Sequence, residues 1–264
     1  MGFIGDLFDA EARKRNRIAS LSKKLQQKFG QTEDRMTAAR ALAEVGGAEA
    51  WRGLLKRFTI SVDNRLHDQD EKKDVSEMLV EGGAPVIPLI QEFLGKETEL
   101  TWALRTLSEL VGREQWATIV LETLEGHDSE NTDPEKLSQI LLALHENPDP
   151  RVAPAVTRLL ADLDDTIRFA AIETLASLPN LAEKQGERQG EDARAALLSA
   201  LTKPEEESQR VIHRILEVFR DKGWEVKGFR KSVEERLPEG WYLDRSGRIK
   251  QLERGAARPP DEGA

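Results

Sequence analysis

One phrase recurs along the chain: apolar residues at helical spacing that stop at Gly, Asn or Pro. It reads Ala-Ala-Arg-Ala-Leu-Ala-Glu-Val-Gly-Gly at 38–47, Val-Ser-Glu-Met-Leu-Val-Glu-Gly-Gly at 75–83 and Ala-Leu-Arg-Thr-Leu-Ser-Glu-Leu-Val-Gly at 103–112. It returns as Ser-Gln-Ile-Leu-Leu-Ala-Leu-His-Glu-Asn-Pro at 138–148, as Ala-Ala-Ile-Glu-Thr-Leu-Ala-Ser-Leu-Pro at 170–179, and more loosely as Val-Ile-His-Arg-Ile-Leu-Glu-Val-Phe at 211–219. With Leu42, Leu79, Leu107, Leu142, Leu175 and Leu216 as equivalents, the steps are 37, 28, 35, 33 and 41 residues. A period of that size is the signature of a stacked array. Uneven steps imply constant cores joined by loops of variable length.

Each phrase is followed by a second helical stripe. Trp51, Leu54, Leu55 and Phe58 stand at i, i+3, i+4 and i+7, as do Val86, Leu89, Ile90 and Phe93. Trp116, Ile119, Val120 and Leu124 continue the pattern, as do Val152, Val156, Leu159, Leu160 and Leu163. That spacing places apolar residues on one helix face. Gly46-Gly47, Gly82-Gly83 and Gly112 suit left-handed helix ends. Pro85, Pro134, Pro150 and Pro154 fall in first turns, where the missing N–H costs nothing, and Asp34, Asp133, Asp149 and Asp165 are placed to cap helix starts. A pair of about 35 residues cannot bury its own stripe, but neighbouring pairs stacked side by side can. The expected fold class is therefore all-α: a right-handed α-solenoid of about six helix pairs over 31–222.

Two phrases carry a family resemblance. Asp34-Arg35-Met36-Thr37-Ala38-Ala39-Arg40-Ala41-Leu42 and Asp164-Asp165-Thr166-Ile167-Arg168-Phe169-Ala170-Ala171-Ile172 resemble the first helix of a HEAT repeat, and Asn147-Pro148-Asp149-Pro150-Arg151-Val152 resembles its turn and second helix. With no proline inside the first helices, the pattern is similar to the short bacterial type, which also occurs in phycobilin lyases. The resemblance implies a protein-binding scaffold in most cases and chromophore attachment in a few. HEAT motifs are structural, so no functional residue carries over.

The ends depart from the repeat. Residues 1–30 hold seven bases and three acids, with Ile18, Leu21, Leu25 and Phe29 on one face of a basic helix. That face either caps the open end of the stack or, with Phe3, Ile4, Leu7 and Phe8, anchors the chain to a membrane surface or a partner helix. At 223–252, Trp241 to Leu252 reads as two short strands around a Gly-containing turn, a hairpin that must pack on the last helices, with Phe229, Val233 and Leu237 facing it. Trp224, Trp241 and Tyr242 either lie under this lid or form an aromatic platform. Trp51, Trp102 and Trp116 sit on apolar registers, as core residues or as interface anchors. Residues 182–192 read as a loop splitting the fifth pair, and 253–264 as a disordered tail.

Composition narrows the function. The net charge is −9 and there is no cysteine, which excludes disulfides, thiolate metal sites and thiol nucleophiles. Eleven acids against three bases at 121–165 repel phosphate backbones, so nucleic acid is not expected as a partner. The start, Met-Gly-Phe-Ile-Gly-Asp-Leu-Phe, has no basic stretch before an apolar core, so a cytoplasmic location is expected. No nucleotide loop or nucleophile elbow is present. His67, His127, His145 and His213 never pair at i, i+4, and Asp162, Asp164 and Asp165 lack a calcium loop around them. The expectation is a non-catalytic scaffold without cofactor, binding a protein partner, basic if net charge decides, along a largely acidic groove. In such solenoids the second helix typically lines the groove, which nominates Glu49, Arg52, Lys56, Gln91, Glu122 and Arg158. The alternatives are a bilin-lyase-like enzyme holding a tetrapyrrole and an adaptor recruited to membranes by residues 1–30.

Overall fold

The computed structural model describes residues 2–126, 133–179 and 188–252, with side chains left out at 2–9 and 188–192. Two compact units divide the chain, Met1–Asp128 and Ser129–Ala264. The first holds α1 (Gly2–Leu25), α2 (Thr32–Val45), α3 (Ala48–Leu55), α4 (Arg65–Glu81), α5 (Ile87–Lys96), α6 (Thr101–Leu110) and α7 (Arg113–Glu125). The second holds α8 (Pro134–Glu146), α9 (Ala153–Arg158), α10 (Asp165–Ser177), α11 (Arg188–Thr202), α12 (Gln209–Lys222), α13 (Arg230–Glu234), β1 (Trp241–Leu243) and β2 (Ile249–Gln251).

Each unit is a succession of helix pairs. In the first, the first helices stack α2 on α4 on α6 and the second helices α3 on α5 on α7, while α1 covers α2 and α3. In the second, α8, α10 and α12 form one row and α9, α11 and α13 the other. The apolar stripes face inward, with Leu42, Leu79 and Leu107 buried opposite Leu54, Ile90 and Val120 in the first unit, and Leu144, Leu175 and Leu216 opposite Val156 and Leu197 in the second. Polar side chains stitch the first-helix rows. Ser76 and Thr106 share a 2.8 Å hydrogen bond between α4 and α6, and the Thr174 hydroxyl donates to the Leu141 carbonyl of α8 at 3.0 Å. No helix among the described residues is long and apolar enough to cross a membrane.

A buried ionic network lies inside the first unit. Arg35, in the first turn of α2, donates twice to Glu71 of α4, at 2.8 and 2.6 Å. It also donates to the carbonyls of Gln27 and Gly30, at 3.1 and 2.5 Å, holding the turn that enters its own helix. Arg57, completely buried, donates to Glu71 at 3.0 Å and to Asp68 at 2.8 Å, and Lys72 completes the set against Asp68 at 2.8 Å. The second unit repeats the clamp. Arg168, in the first turn of α10, grips Glu206 at 2.7 and 2.9 Å and holds the Asp162 and Leu163 carbonyls at 2.9 and 3.0 Å.

Several expectations shift. Leu142 is 55% exposed while Leu141 and Leu144 are buried, so the fourth copy is in a different register: the run Ile140-Leu141-Leu142 offered more than one apolar stripe. Leu163 is 95% exposed because the 3-10 turn Leu159–Ala161 ends the second helix before it. Phe29 is 88% exposed, four residues beyond the end of α1, while Ile18 and Leu25 are buried. The side chains of Phe3, Ile4, Leu7 and Phe8 lie outside the described residues. Asp133 and Asp149 do cap their helices, as Asp164 caps α10. Asp34 instead pairs with Lys24 at 2.9 Å, and Asp165 accepts from the Ser208 hydroxyl at 2.7 Å. Gly46, Gly47 and Gly83 have positive φ, whereas Gly82 and Gly112 are ordinary right-handed and extended residues. Helix α11 starts at Arg188, inside the expected loop; residues 180–187 and the tail 253–264 fall outside the described residues, as does His127.

The antiparallel hairpin pairs Trp241 with Gln251 and Leu243 with Ile249 and packs on α12 and α13. Trp224 and Trp241 are buried. Trp224 lies edge-on to Phe219 at 5.2 Å, with the Arg194 guanidinium 5.5 Å from its ring. Trp241 lies edge-on to His213 at 6.3 Å, with Arg220 at 5.4 Å. Both rings are covered, Tyr242 of the same expected trio is half-buried, and Val233 is the buried member of the expected facing stripe.

Burial by itself would raise the Glu71 and Asp68 carboxyls. For Glu71, hydrogen bonds from Arg35 and Thr32 outweigh burial, and for Asp68 those from Lys72 and Arg57 do, so both are held below the usual carboxylate range. Groups depressed on folding contribute stability that is complete above their unfolded values, about 4, and is lost as pH falls through the folded ones. Thermal melts followed by circular dichroism should therefore show a steeper loss of stability below about pH 4 in the wild type than in Glu71→Gln. At pH 7 that variant, which leaves two buried guanidinium groups without their shared carboxylate, should be destabilised by about 3–5 kcal/mol.

Candidate functional site

The second-helix row of the first unit turns one polar crest outward. Helix α3 buries Ala50, Gly53, Leu54 and Leu55, and the same 3.6-residue period puts Glu49, Arg52 and Lys56 on its exposed side. Helix α5 buries Leu89, Ile90, Phe93 and Leu94 and exposes Gln91, Gly95 and Lys96. Helix α7 buries Trp116, Ile119, Val120 and Leu124 and exposes Glu122. Beneath the crest, Phe93 meets Phe58 edge-on at 6.4 Å and Phe58 stacks with Trp102 at 6.3 Å. Trp116 is buried, its indole N–H donating to the Leu104 carbonyl at 3.1 Å.

Two grooves run between these helices. The α3–α5 groove, about 180 Å³, is lined by Arg52, Leu55, Lys56, Leu89, Glu92, Phe93, Lys96 and Glu97. The α5–α7 groove, about 290 Å³, is lined by Gln91, Gly95, Ile119, Glu122, Thr123 and Gly126. Glu92 stands between the helices as a tether. One carboxylate oxygen accepts from Arg52 Nε and Nη2, at 3.0 and 2.9 Å, and the other from Lys96 Nζ at 2.7 Å. Hydrogen bonds from Lys96 and then Arg52 hold the Glu92 carboxyl below its usual range. The pairing is exposed, so its effect is to fix where two cationic heads stand rather than to stabilise the fold.

Four of the six nominated residues come together here: Arg52 and Lys56 on the first groove, Gln91 and Glu122 on the second. Glu49 is exposed in the first turn of α3 but lines neither groove, and Arg158 is exposed on α9 in the other unit. Sequence reasoning missed Glu92, Lys96 and Glu97 and the floor residues Leu55, Leu89 and Phe93. Glu92 and Lys96 are legible as an i, i+4 pair, but the link from Arg52 to Glu92 spans 40 residues. These two linings do not share the acidic excess of the chain as a whole. The α3–α5 lining has three bases and two acids, and the α5–α7 lining has one charged residue, Glu122. Among the described residues no group of three or more His, Cys, Asp or Glu could hold a metal ion.

No family model matches this sequence, and no curated protein matches it. Among solved structures, the chain is similar to a designed armadillo repeat protein in complex with the peptide (KR)4, at 15% identity and a TM-score of 0.39, covering 76% of this chain and 98% of that one. A likeness of that size carries no argument about this chain.

Two glycines on α3 and α5 separate packing from groove. A Cβ on Gly53 would lie 2.3 Å from the buried Ser22 hydroxyl and 3.4 Å from Leu42, so α1 and α3 approach closely only because Gly53 has none. A Cβ on Gly95 would meet nothing within 4 Å. In chemical denaturation, Gly53→Val should lower stability by about 1–3 kcal/mol, whereas Gly95→Ala should raise it by up to about 1 kcal/mol, the usual helical cost of glycine.

Proposed function

We propose that the protein is a cytoplasmic, non-catalytic scaffold that binds a protein partner across the second-helix crest of its first unit. The observation that supports this is the pair of adjoining grooves on α3, α5 and α7, where exposed Arg52, Lys56, Gln91 and Glu122 stand beside an apolar floor. The net charge of −9 sums over every face, whereas these linings hold three bases against two acids in one groove and Glu122 alone in the other, so the linings rather than the net charge set which contacts form.

Crosslinking of the full chain to its captured partner, followed by mass spectrometry, should place the crosslinks on 49–56, 91–97 and 122–123. Arg52→Glu combined with Lys56→Glu should reduce partner retention at least about tenfold, roughly 1.4 kcal/mol, while Lys73→Glu, on the exposed side of α4, should leave it unchanged. Crosslinks confined to the first-helix row, or retention indifferent to the double substitution, would overturn the assignment.

A further inference from the structure

The α3–α5 groove has a floor and a rim that together specify an occupant. Its floor is Leu55, Leu89 and Phe93, and its volume is about 180 Å³. An apolar cavity of roughly 150 Å³ holds benzene, so the groove fits one ring-sized or branched aliphatic side chain. Its rim carries Arg52, Lys56 and Lys96 against Glu92 and Glu97. Both oxygens of Glu92 are taken, by Arg52 and Lys96, and Lys56 has no acidic partner among the described residues.

We infer that this groove receives a partner segment with one large apolar side chain on the Leu55–Leu89–Phe93 floor and a carboxylate, from an Asp or Glu one or two residues away, against Lys56. The inference rests on the scaffold reading and names the chemistry recognised at that surface. With three bases against two acids the lining is net positive, and with both Glu92 oxygens committed a Lys or Arg beside the apolar anchor would have Glu97 alone to pair with while facing Lys56. The overall −9 does not decide the contact, because exposed charges more than about 8 Å away are screened at physiological ionic strength. Across the crest of α5 the same segment meets Gly95 and Gly126, where no side chain stands, with Gln91 and Thr123 alongside. An extended backbone can approach such a surface closely.

The test is selection of a displayed random peptide library on the immobilised full chain, with affinities of enriched peptides then read by fluorescence anisotropy. The expected peptides carry Phe, Leu, Trp or Met with Asp or Glu within two positions. Replacing their apolar residue by Ala should weaken binding about tenfold or more, and Lys56→Glu should weaken it about three- to tenfold with an unchanged melting temperature. Enrichment of Lys or Arg beside the apolar residue, in peptides whose binding Lys56→Glu strengthens, would overturn the inferred chemistry and leave the scaffold reading standing. Peptides indifferent to both Lys56→Glu and Arg52→Glu, or no enrichment over a bare support, would overturn the groove as a docking site altogether.

Discussion

An arginine in the first turn of a first helix sets the spacing of the helix pairs in each unit. Arg35 and Arg168 do the same two things. Each donates to carbonyls of the turn the chain has just left, Gln27 and Gly30 in one case and Asp162 and Leu163 in the other. Each also grips a carboxylate farther along the chain, Glu71 of α4 or Glu206 in the turn before α12, which lies 36 or 38 residues on. A buried ion pair is weak evidence for raw stability, since a well-packed apolar replacement is often equivalent, but removing one partner is severe. Its value here is register: planar, bidentate guanidinium geometry admits one relative placement of the two elements. Arg236 adds to the second clamp by donating to the Glu206 carbonyl.

The same network explains what could and could not be read in the residues. The pairs themselves were legible because apolar side chains repeat with a period of 3.6, and three pairs fall in each unit. Helix α4 was legible only in its second half. Its inward stripe is Asp68, Glu71, Lys72, Val75, Ser76 and Leu79, a regular helical face whose first turns are charged. Apolar periodicity cannot reveal a stripe made of Asp, Glu and Lys, and only Arg35 and Arg57, arriving from other helices, make its burial tolerable. The misplaced Leu142 has the opposite cause, an excess of aliphatic residues among which only packing chooses. The C-terminal hairpin was legible in its turn chemistry: Gly247 takes a φ of 81°, and Asp244 accepts from Ser246 Oγ and Arg248 N at 2.7 and 2.9 Å.

The candidate grooves show how far a whole-chain quantity reaches. Alternation of inward and outward positions along α3, α5 and α7 was enough to nominate Arg52, Lys56, Gln91 and Glu122, because a helix that buries Leu54 and Leu55 must expose the residues on its far side. It was not enough to give the charge of the surface they form. Net charge sums over every face, whereas a groove is lined by a few residues from two helices, and the partner of Arg52 lies on a helix 40 residues away.

Gly95 is the residue at which fold and surface part. A glycine inside a helix costs about 0.5–1 kcal/mol relative to alanine, and on α3 that cost has a packing reason, since a Cβ on Gly53 would lie 2.3 Å from the Ser22 hydroxyl. Gly95 has ordinary helical geometry and open space where its Cβ would stand, so neither strain nor crowding calls for it. What its missing side chain does provide is depth in the α5–α7 groove. At this position, on the same crest as Arg52, Lys56 and Glu122, the residue type shapes the surface and not the packing beneath it.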